Sequence, residues 1–329
     1  MSDVLLDVAD LKVHFPIPTG GLIGGRTRWL KAVDGVSFSV KRGETLGIVG
    51  ESGCGKSTLG RAILRLIAPS AGRVLWLGQD LSGLSQEEMR RHRREMQIIF
   101  QDPLASLDPR MTVGDIIAEP LTALEPDLPK AEIKERVRSM MSKVGLLPEM
   151  INRYPHEFSG GQYQRIGVAR AMIVRPALIV CDEPVSALDV SIQAQIVNLL
   201  MDLQAEFGLT LLFISHDLSV VRHISHRILV LYLGRVMELA DRDSLYREAR
   251  HPYTRALISA VPVPDPLIER SKRIEFLSGD LPSPIDPPSG CVFRTRCPHA
   301  NDLCAAKVPD LEPVGTDHQV ACHRWREIG

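Results

Sequence analysis

Thr45-Leu46-Gly47-Ile48-Val49 runs directly into Gly50-Glu51-Ser52-Gly53-Cys54-Gly55-Lys56-Ser57, an apolar run that opens onto an unbroken G-x-x-x-x-G-K-S. The apolar run predicts a strand, and Ser57 to Ile67 predicts the helix that follows it. Glycines let the connecting loop bend until successive backbone N–H groups face inward and cradle phosphate oxygens. Lys56 would reach the β- and γ-phosphates, and the Ser57 hydroxyl would hold Mg²⁺. The helix turns its positive N-terminal end toward the same anion. Gly50, Ser52, Gly53, Cys54, Gly55, Lys56, Ser57 and Thr58 are therefore the candidate phosphate-contacting positions. The blander alternative is an ordinary glycine turn ahead of a helix, which leaves the order of strand, loop and helix unexplained.

Working outward, Val4 to about Met237 alternates short β-branched runs with charged helical stretches, the pattern of an α/β domain. Gln97 to Phe100, Ala177 to Cys181, Leu209 to Ile214 and Ile228 to Tyr232 are further strand candidates. Their near-continuous apolar character suits strands buried on both faces of a largely parallel sheet. Thr19 to Gly25 is glycine-rich and predicts a flexible insertion between two early strands. Residues 102–170 carry helical patterns, Pro129 to Val144 among them, and almost no strand signal, so a helical subdomain is expected there. Beyond Arg250 closely spaced prolines break any long helix. A Pro-rich linker leading to a tail of about forty residues follows, too small to bury much core without a staple.

Composition narrows the class. The chain has 329 residues, 44% hydrophobic and 24% charged, the mix of an ordinary globular protein. Lys plus Arg is 39 and Asp plus Glu is 40, which offers no electrostatic case for a nucleic-acid partner. The longest apolar stretches, such as Ile228 to Leu233, fall well short of the ~18 residues of a membrane span. No basic-then-apolar leader opens the sequence.

A second acidic motif answers the phosphate loop. Leu178-Ile179-Val180-Cys181 leads into Asp182-Glu183-Pro184. Asp182 at a strand end can reach Mg²⁺ through water, and Glu183 can polarise a water for attack on a γ-phosphate. Between the two motifs lies Phe158-Ser159-Gly160-Gly161-Gln162, ahead of a predicted helix from about Tyr163 to Ile173. Two glycines and a hydroxyl at a helix start expose donors for a terminal phosphate. A serine N-cap with a flexible glycine pair is the plainer reading of the same residues.

With these motifs in hand, roughly residues 4–240 resemble the nucleotide-binding subunit of an ATP-binding cassette (ABC) transporter. The resemblance implies a P-loop NTPase α/β core with an inserted helical subdomain and a small Cys-rich C-terminal extension. Ser159, Gly160, Gly161 and Gln162 match the family's signature motif, with Phe158 where leucine is commoner and Tyr163 where a smaller or basic residue is more usual. The resemblance implies that each signature motif closes the ATP site of a second ATPase subunit. Gln101 resembles the glutamine that contacts Mg²⁺ and the attacking water. Ser186-Ala187-Leu188-Asp189 resembles the loop that links the two sites through Asp189. His216 resembles the switch histidine at the γ-phosphate, although alone it would read as a structural histidine. Phe15, taken to end the first strand, is the candidate to stack on adenine, with a core position as the alternative.

The tail narrows the subfamily. His251-Pro252-Tyr253-Thr254 and Cys291-Val292-Phe293-Arg294-Thr295-Arg296-Cys297-Pro298 resemble the C-terminal extension of oligopeptide and dipeptide importer ATPases, in particular the F-type subunit that pairs with a D-type one. The resemblance implies ATP and Mg²⁺ as ligands, and two transmembrane permease subunits and a peptide-binding protein as partners. It places the chain as a peripheral subunit on the cytoplasmic face of a bacterial inner membrane. An ATPase domain over residues 1–250 and a linker with a Cys-rich extension over residues 251–329 are expected. Cys291, Cys297, Cys304 and Cys322 follow C-x5-C-x6-C-x17-C. In a reducing compartment this set suits an iron–sulfur cluster or tetrahedral zinc better than disulfides. Resemblance to importer ATPases with a cluster-bearing tail favours [4Fe–4S]. Zinc and unmetallated structural cysteines stay open, and His299, His318 or His323 could replace one ligand. Three other functions remain as alternatives: a soluble cassette acting in translation or DNA repair, an importer ATPase for nickel or glutathione, and a cassette that binds ATP without turnover.

Overall fold

The computed structural model describes residues 3–19, 26–262 and 265–328. Of the glycine-rich segment read as an insertion, residues 20–25 lie outside the described residues. The chain opens with two strands, β1 (Val4–Thr19) and β2 (Arg26–Lys41). Next come β3 (Thr45–Val49), α1 (Lys56–Ile63), β4 (Ala71–Trp76), β5 (Gln79–Asp80), α2 (Gln86–His92) and β6 (Met96–Ile99). A run of helices follows: α3 (Pro103–Ser106), α4 (Val113–Leu124), α5 (Lys130–Lys143) and α6 (Gly160–Met172). The order then alternates through β7 (Leu178–Asp182), α7 (Val190–Phe207), β8 (Thr210–Ile214), α8 (Leu218–Ile224), β9 (Arg227–Tyr232) and β10 (Arg235–Asp241). The last part holds α9 (Arg242–Glu248), α10 (Pro252–Ser259), α11 (Pro266–Ser271), α12 (Asp302–Ala306), β11 (Glu312–Gly315), β12 (His318–Val320) and α13 (Trp325–Ile328).

The chain divides into two compact units. One comprises Gly83–Ser215 with two short stretches, up to Val4 and at Lys41–Thr45. In it β6, β7 and β8 run parallel, with Met96 opposite Leu178 and Leu178 opposite Thr210. Every residue of β7 and β8 is buried, which explains why their sequences are continuously apolar rather than alternating. The helical run between β6 and β7 packs around α4 and α6, where a Cβ on Gly114 would meet the Ile151 side chain at 2.5 Å. Thr112 caps α4 and Asp189 caps α7, each accepting a backbone N–H from the first turn.

The other unit comprises Leu5–Val40, Leu46–Ser82 and His216–Gly329. Here β1 pairs antiparallel with β4, while β3 pairs parallel with β9 and β9 antiparallel with β10. Gly47 of β3 has no room for a side chain, because a Cβ would sit 2.5 Å from both Ser225 Oγ and Val221 Cγ1.

One expectation needs correction. The helix predicted over Ser57 to Ile67 ends at Ile63. Arg65 enters the left-handed region at φ 54°. Its N–H bonds Ala62 O and the Leu66 N–H bonds Arg61 O, a Schellman ending made without the usual glycine. The tail, read as too small to bury much core of its own, packs on the rest of its unit. β12 joins the edge of β10, with Val320 opposite Glu238, and Phe293 is 1% exposed. Its ring lies 5.3 Å from Tyr232, 5.4 Å from Tyr253 and 5.5 Å from His251. A short segment with little core of its own is thus stabilised by docking its apolar residues on its neighbours.

A buried carboxylate ties these pieces together. Glu238, fully buried on β10, accepts the backbone N–H of Arg250 at 2.7 Å, that of His251 at 3.0 Å, and a hydrogen bond with His318 Nε2 at 2.8 Å. His251, 1% exposed, caps α10 through Nδ1, which accepts the Tyr253 N–H at 3.0 Å. Pro252 fills the first helical position, where a missing N–H costs nothing. Replacing Glu238 by alanine strands buried donors, so Glu238→Ala is expected to lower the unfolding free energy by about 3 kcal/mol in urea denaturation. Burial pushes the His251 pKa down to about 4, against the opposing pull of Glu238. The folded value lies below the unfolded one of about 6.5, so this contribution is complete above about pH 6.5 and is lost as pH falls toward 4. Stability should decline over that window, and less so in His251→Asn, which keeps a cap acceptor; equal slopes in the two proteins would refute the assignment.

Candidate active site

The phosphate loop is built from glycines that nothing else could replace. Gly50 has φ 153° and Gly55 has φ 106°. A Cβ on Gly50 would lie 2.2 Å from Leu231 O, and one on Gly55 would lie 2.0 Å from Ala32 O. The loop therefore threads between β2 and the end of β9 with its backbone bare. Gly234 N–H donates to Cys54 O at 2.8 Å and Asp34 N–H to Gly234 O at 2.9 Å, which fixes the far side. Lys56 is 4% exposed, and its Nζ donates to Gly50 O at 2.8 Å and Glu51 O at 3.0 Å. Its ammonium is thus held inside the curve of the loop. Ser57 and Thr58 start α1 half-buried, and Ser52 and Gly53 face solvent. Cys54 is buried, and burial raises its thiol pKa.

The acidic motif sits in the other compact unit. Asp182 ends β7 fully buried. Glu183 follows at φ 46°, an unfavourable region for a side-chain-bearing residue, with a cost of about 1–3 kcal/mol. Its N–H donates to Ile214 O on β8 at 3.0 Å, which holds the turn. Its carboxylate Oε2 accepts a hydrogen bond from Gln101 Nε2 at 3.0 Å. The structure thus joins two residues that the sequence separates widely, and orients the one suited to act as a base. Such strained positions cluster where a side chain must be aimed.

The signature residues begin α6. Gln162 accepts the Ser159 N–H at 2.9 Å, so this glutamine closes the helix start. Ser159 and Gly160 are exposed, while a Cβ on Gly161 would strike Ile192 Cγ2 at 2.7 Å. Phe158 is buried, so the departure from leucine keeps an apolar anchor. Asp189 accepts hydrogen bonds from Ser191 Oγ at 2.7 Å and Ile192 N–H at 3.0 Å, which hold its carboxyl below the usual range. His216 is exposed just beyond β8. Phe15 does not end the first strand, which continues to Thr19, and its ring is 36% exposed. The core alternative for Phe15 is thereby removed.

Three contacts escaped the sequence reading. Tyr253 Oη accepts the Glu51 N–H at 2.9 Å, and Arg296 Nη1 donates to both Glu51 carboxylate oxygens at 3.0 and 2.9 Å. Burial works against the charge on Arg296, but Glu51 and Tyr232 outweigh it and raise its pKa. Both residues lie within stretches already conspicuous in the sequence, yet only the fold brings them to the loop. The tail cysteines carry a further electrostatic signature. Cys291, Cys297 and Cys322 are each raised mainly by burial, with charge interactions linking Cys322 to Cys291, Cys297 and Cys304. All six cysteines are free thiols. Among the described residues, no three His, Cys, Asp or Glu side chains are grouped so as to hold a metal ion.

Comparison with known proteins completes the picture. Residues 33–186 match the family model described as ABC transporter, and residues 237–304 match that of the oligopeptide/dipeptide transporter C-terminal region. An oligopeptide transport ATP-binding protein, OppF, of Salmonella typhimurium is 61% identical over 320 residues, covering 97% of this chain and 96% of that protein. Its counterpart in Haemophilus influenzae is 60% identical over 322 residues, covering 98% of this chain and 97% of that protein. Among solved structures, the dimeric ATP-binding cassette MJ0796 in a post-hydrolysis state bound to ADP and Pi aligns with TM-score 0.64 at 28% identity, covering 72% of this chain and 99% of that one. With phosphate loop, acidic strand end, signature helix and peptide-transporter tail all on one chain, this protein belongs to the ABC transporter ATP-binding family, in the group that includes the oligopeptide transport ATP-binding proteins.

Proposed function

We propose that this chain is the ATP-hydrolysing subunit of a multi-subunit importer of oligopeptides, peripheral to the cytoplasmic face of the inner membrane. The Gln101–Glu183 hydrogen bond carries the catalytic part of this reading, since it aims a carboxylate from a strained backbone position. Among the described residues no helix is long and apolar enough to cross a membrane, so the reading requires separate permease subunits and, by resemblance, a peptide-binding protein. A second ATPase subunit would complete each site through Ser159, Gly160 and Asp189.

Each residue has a definite task in this scheme. The backbone N–H groups from Ser52 to Thr58 and the Lys56 ammonium bind the phosphates. The built loop fits that task, since any side chain at Gly50 or Gly55 would collide with a carbonyl. Ser57, Gln101 and Asp182 would hold Mg²⁺, whose charge would screen the triphosphate. Glu183 accepts the proton of the attacking water while Gln101 holds its carboxylate in place. His216 contacts the γ-phosphate, and Phe15 presents an open ring for adenine. The helical stretch from α3 to α6, with the residues after Gln101, is the proposed docking surface for the permeases.

The tail supports a finer reading as a metal centre. Cys291, Cys297, Cys304 and Cys322 are a soft donor set of the kind that takes [4Fe–4S] or zinc, although among the described residues they are not grouped so as to hold a metal ion. Burial raises Cys291, Cys297 and Cys322, and metal binding would require the thiols to be deprotonated.

Two measurements test these assignments. Glu183→Gln should retain ATP binding and lose steady-state hydrolysis by at least about a hundredfold; hydrolysis at the unmodified rate would remove Glu183 from the role of base. Peptide-dependent stimulation of hydrolysis should require the co-purified permease subunits, and its absence from the assembled complex would reject the importer reading. For the tail, anaerobically purified protein should contain iron and absorb visible light. Zinc in a colourless sample would replace the cluster by zinc, and a sample free of both metals would leave the thiols purely structural.

A further inference from the structure

We infer that Tyr253 and Arg296 are positioning residues for the phosphate loop, acting together through Glu51. The inference rests on the ATP-binding role proposed for that loop and concerns how the loop is held ready. Glu51 directly follows Gly50 and fills a position where the phosphate motif asks nothing of the side chain. Yet every polar group it carries is engaged. Its N–H donates to Tyr253 Oη, its carbonyl accepts from Lys56 Nζ at 3.0 Å, and its carboxylate receives Arg296. The two partners lie 202 and 245 residues away in sequence, so neither contact is a by-product of local geometry.

Both partners are themselves firmly set. Tyr253 is fully buried at the start of α10, beside the His251 cap, and packs edge-on against Tyr232 at 4.8 Å. Arg296 is carried on the segment between Cys291 and Cys297. Arg296 N–H donates to Phe293 O at 3.0 Å, Arg294 N–H to Cys291 O at 3.0 Å, and Cys291 N–H to Cys304 O at 2.8 Å. Gly290, at φ 65°, lets that segment approach so closely that a Cβ would lie 2.3 Å from Cys304 O. The guanidinium also lies over the Tyr232 ring, 5.9 Å from its centre. The fold of the cysteine segment is therefore what places the cation on Glu51.

The physical consequence is twofold. A loop whose N–H groups already face inward loses less freedom when an anion arrives, so bracing Glu51 favours binding. A carboxylate beside an anion site also repels the ligand, and Arg296 neutralises it. With side-chain exposures of 9% for Arg296 and 27% for Glu51, the pair is shielded enough to exceed the small value of an exposed ion pair.

The test is titration calorimetry of MgATP into the full-length chain. Arg296→Ala should weaken affinity by about tenfold, equivalent to about 1.4 kcal/mol, whereas Glu51→Gln, which loosens the brace but also removes the repelling charge, should weaken it less. Arg296→Lys keeps the charge beside Glu51 but loses the planar contact over Tyr232, so it should recover only part of the lost affinity. The double variant Glu51→Gln/Arg296→Ala should bind no more weakly than the worse single one, since both remove the same contact. Tyr253→Phe deletes only the hydroxyl, leaves the ring packed, and should also weaken binding; it decides the matter if Arg296→Ala fails to fold. Unchanged affinity in Arg296→Ala and Tyr253→Phe, or strictly additive losses in the double variant, would overturn the inference. An unmodified chain that binds no MgATP would instead overturn the ATP-binding reading beneath it.

Discussion

The bare backbone at Gly50 and Gly55 is the constraint on which the nucleotide-binding unit depends. One glycine passes against the carbonyl of Leu231 and the other against that of Ala32, at separations that exclude even a methyl group. Both hold φ values that an L side chain rarely adopts. This close passage lets the loop curl tightly enough to bring Lys56 back over its own carbonyls and to start α1 where its N-terminus meets the loop. Much else follows from keeping that curl in place. Gly234 bonds Cys54 from one side, and Glu51 is held by residues from the far end of the chain.

A comparable economy governs the tail. A Pro-rich segment of this size has too little core to fold alone, and it does not need to. Val320 joins the edge of β10, Phe293 closes an aromatic cluster with Tyr232 and Tyr253, and His318 shares the buried carboxylate of Glu238 with the chain entering α10. Glu238 is tolerable in the interior because its oxygens are met by specific donors. The His251-Pro252-Tyr253 run then makes physical sense residue by residue. The histidine caps the helix, the proline occupies the position where its ring does no harm, and the tyrosine reaches the phosphate loop.

Where a signal in the sequence was local, it was legible. The strands Thr45–Val49, Leu178–Asp182 and Thr210–Ile214 announce themselves because burial on both faces demands uninterrupted apolar residues. Ser159 stands at the start of α6, just ahead of the stretch the sequence reads as a helix. Failures came where a distant neighbour decided. Helix α1 stops at Ile63 through a Schellman turn around Arg65, whose guanidinium reaches Leu81 O at 2.8 Å. No residue in the run itself signals that stop. Phe15 was misplaced within β1 because strand length is set by pairing partners, not by the strand's own composition.

By itself the sequence determined the chemistry at hand: a phosphate loop, a carboxylate pair after a buried strand, and a signature turn at a helix start, each carried by residues within a few positions of one another. The tertiary structure alone decided how those groups are aimed and held. Gln101 meets Glu183 across parallel strands, Glu183 is fixed in a strained turn by Ile214, and Tyr253 with Arg296 converges on Glu51. Such pairings depend on strand register and on how far the tail folds back, and those are settled by the packing of the whole unit. A motif states which atoms are available; the buried contacts around it determine where they point.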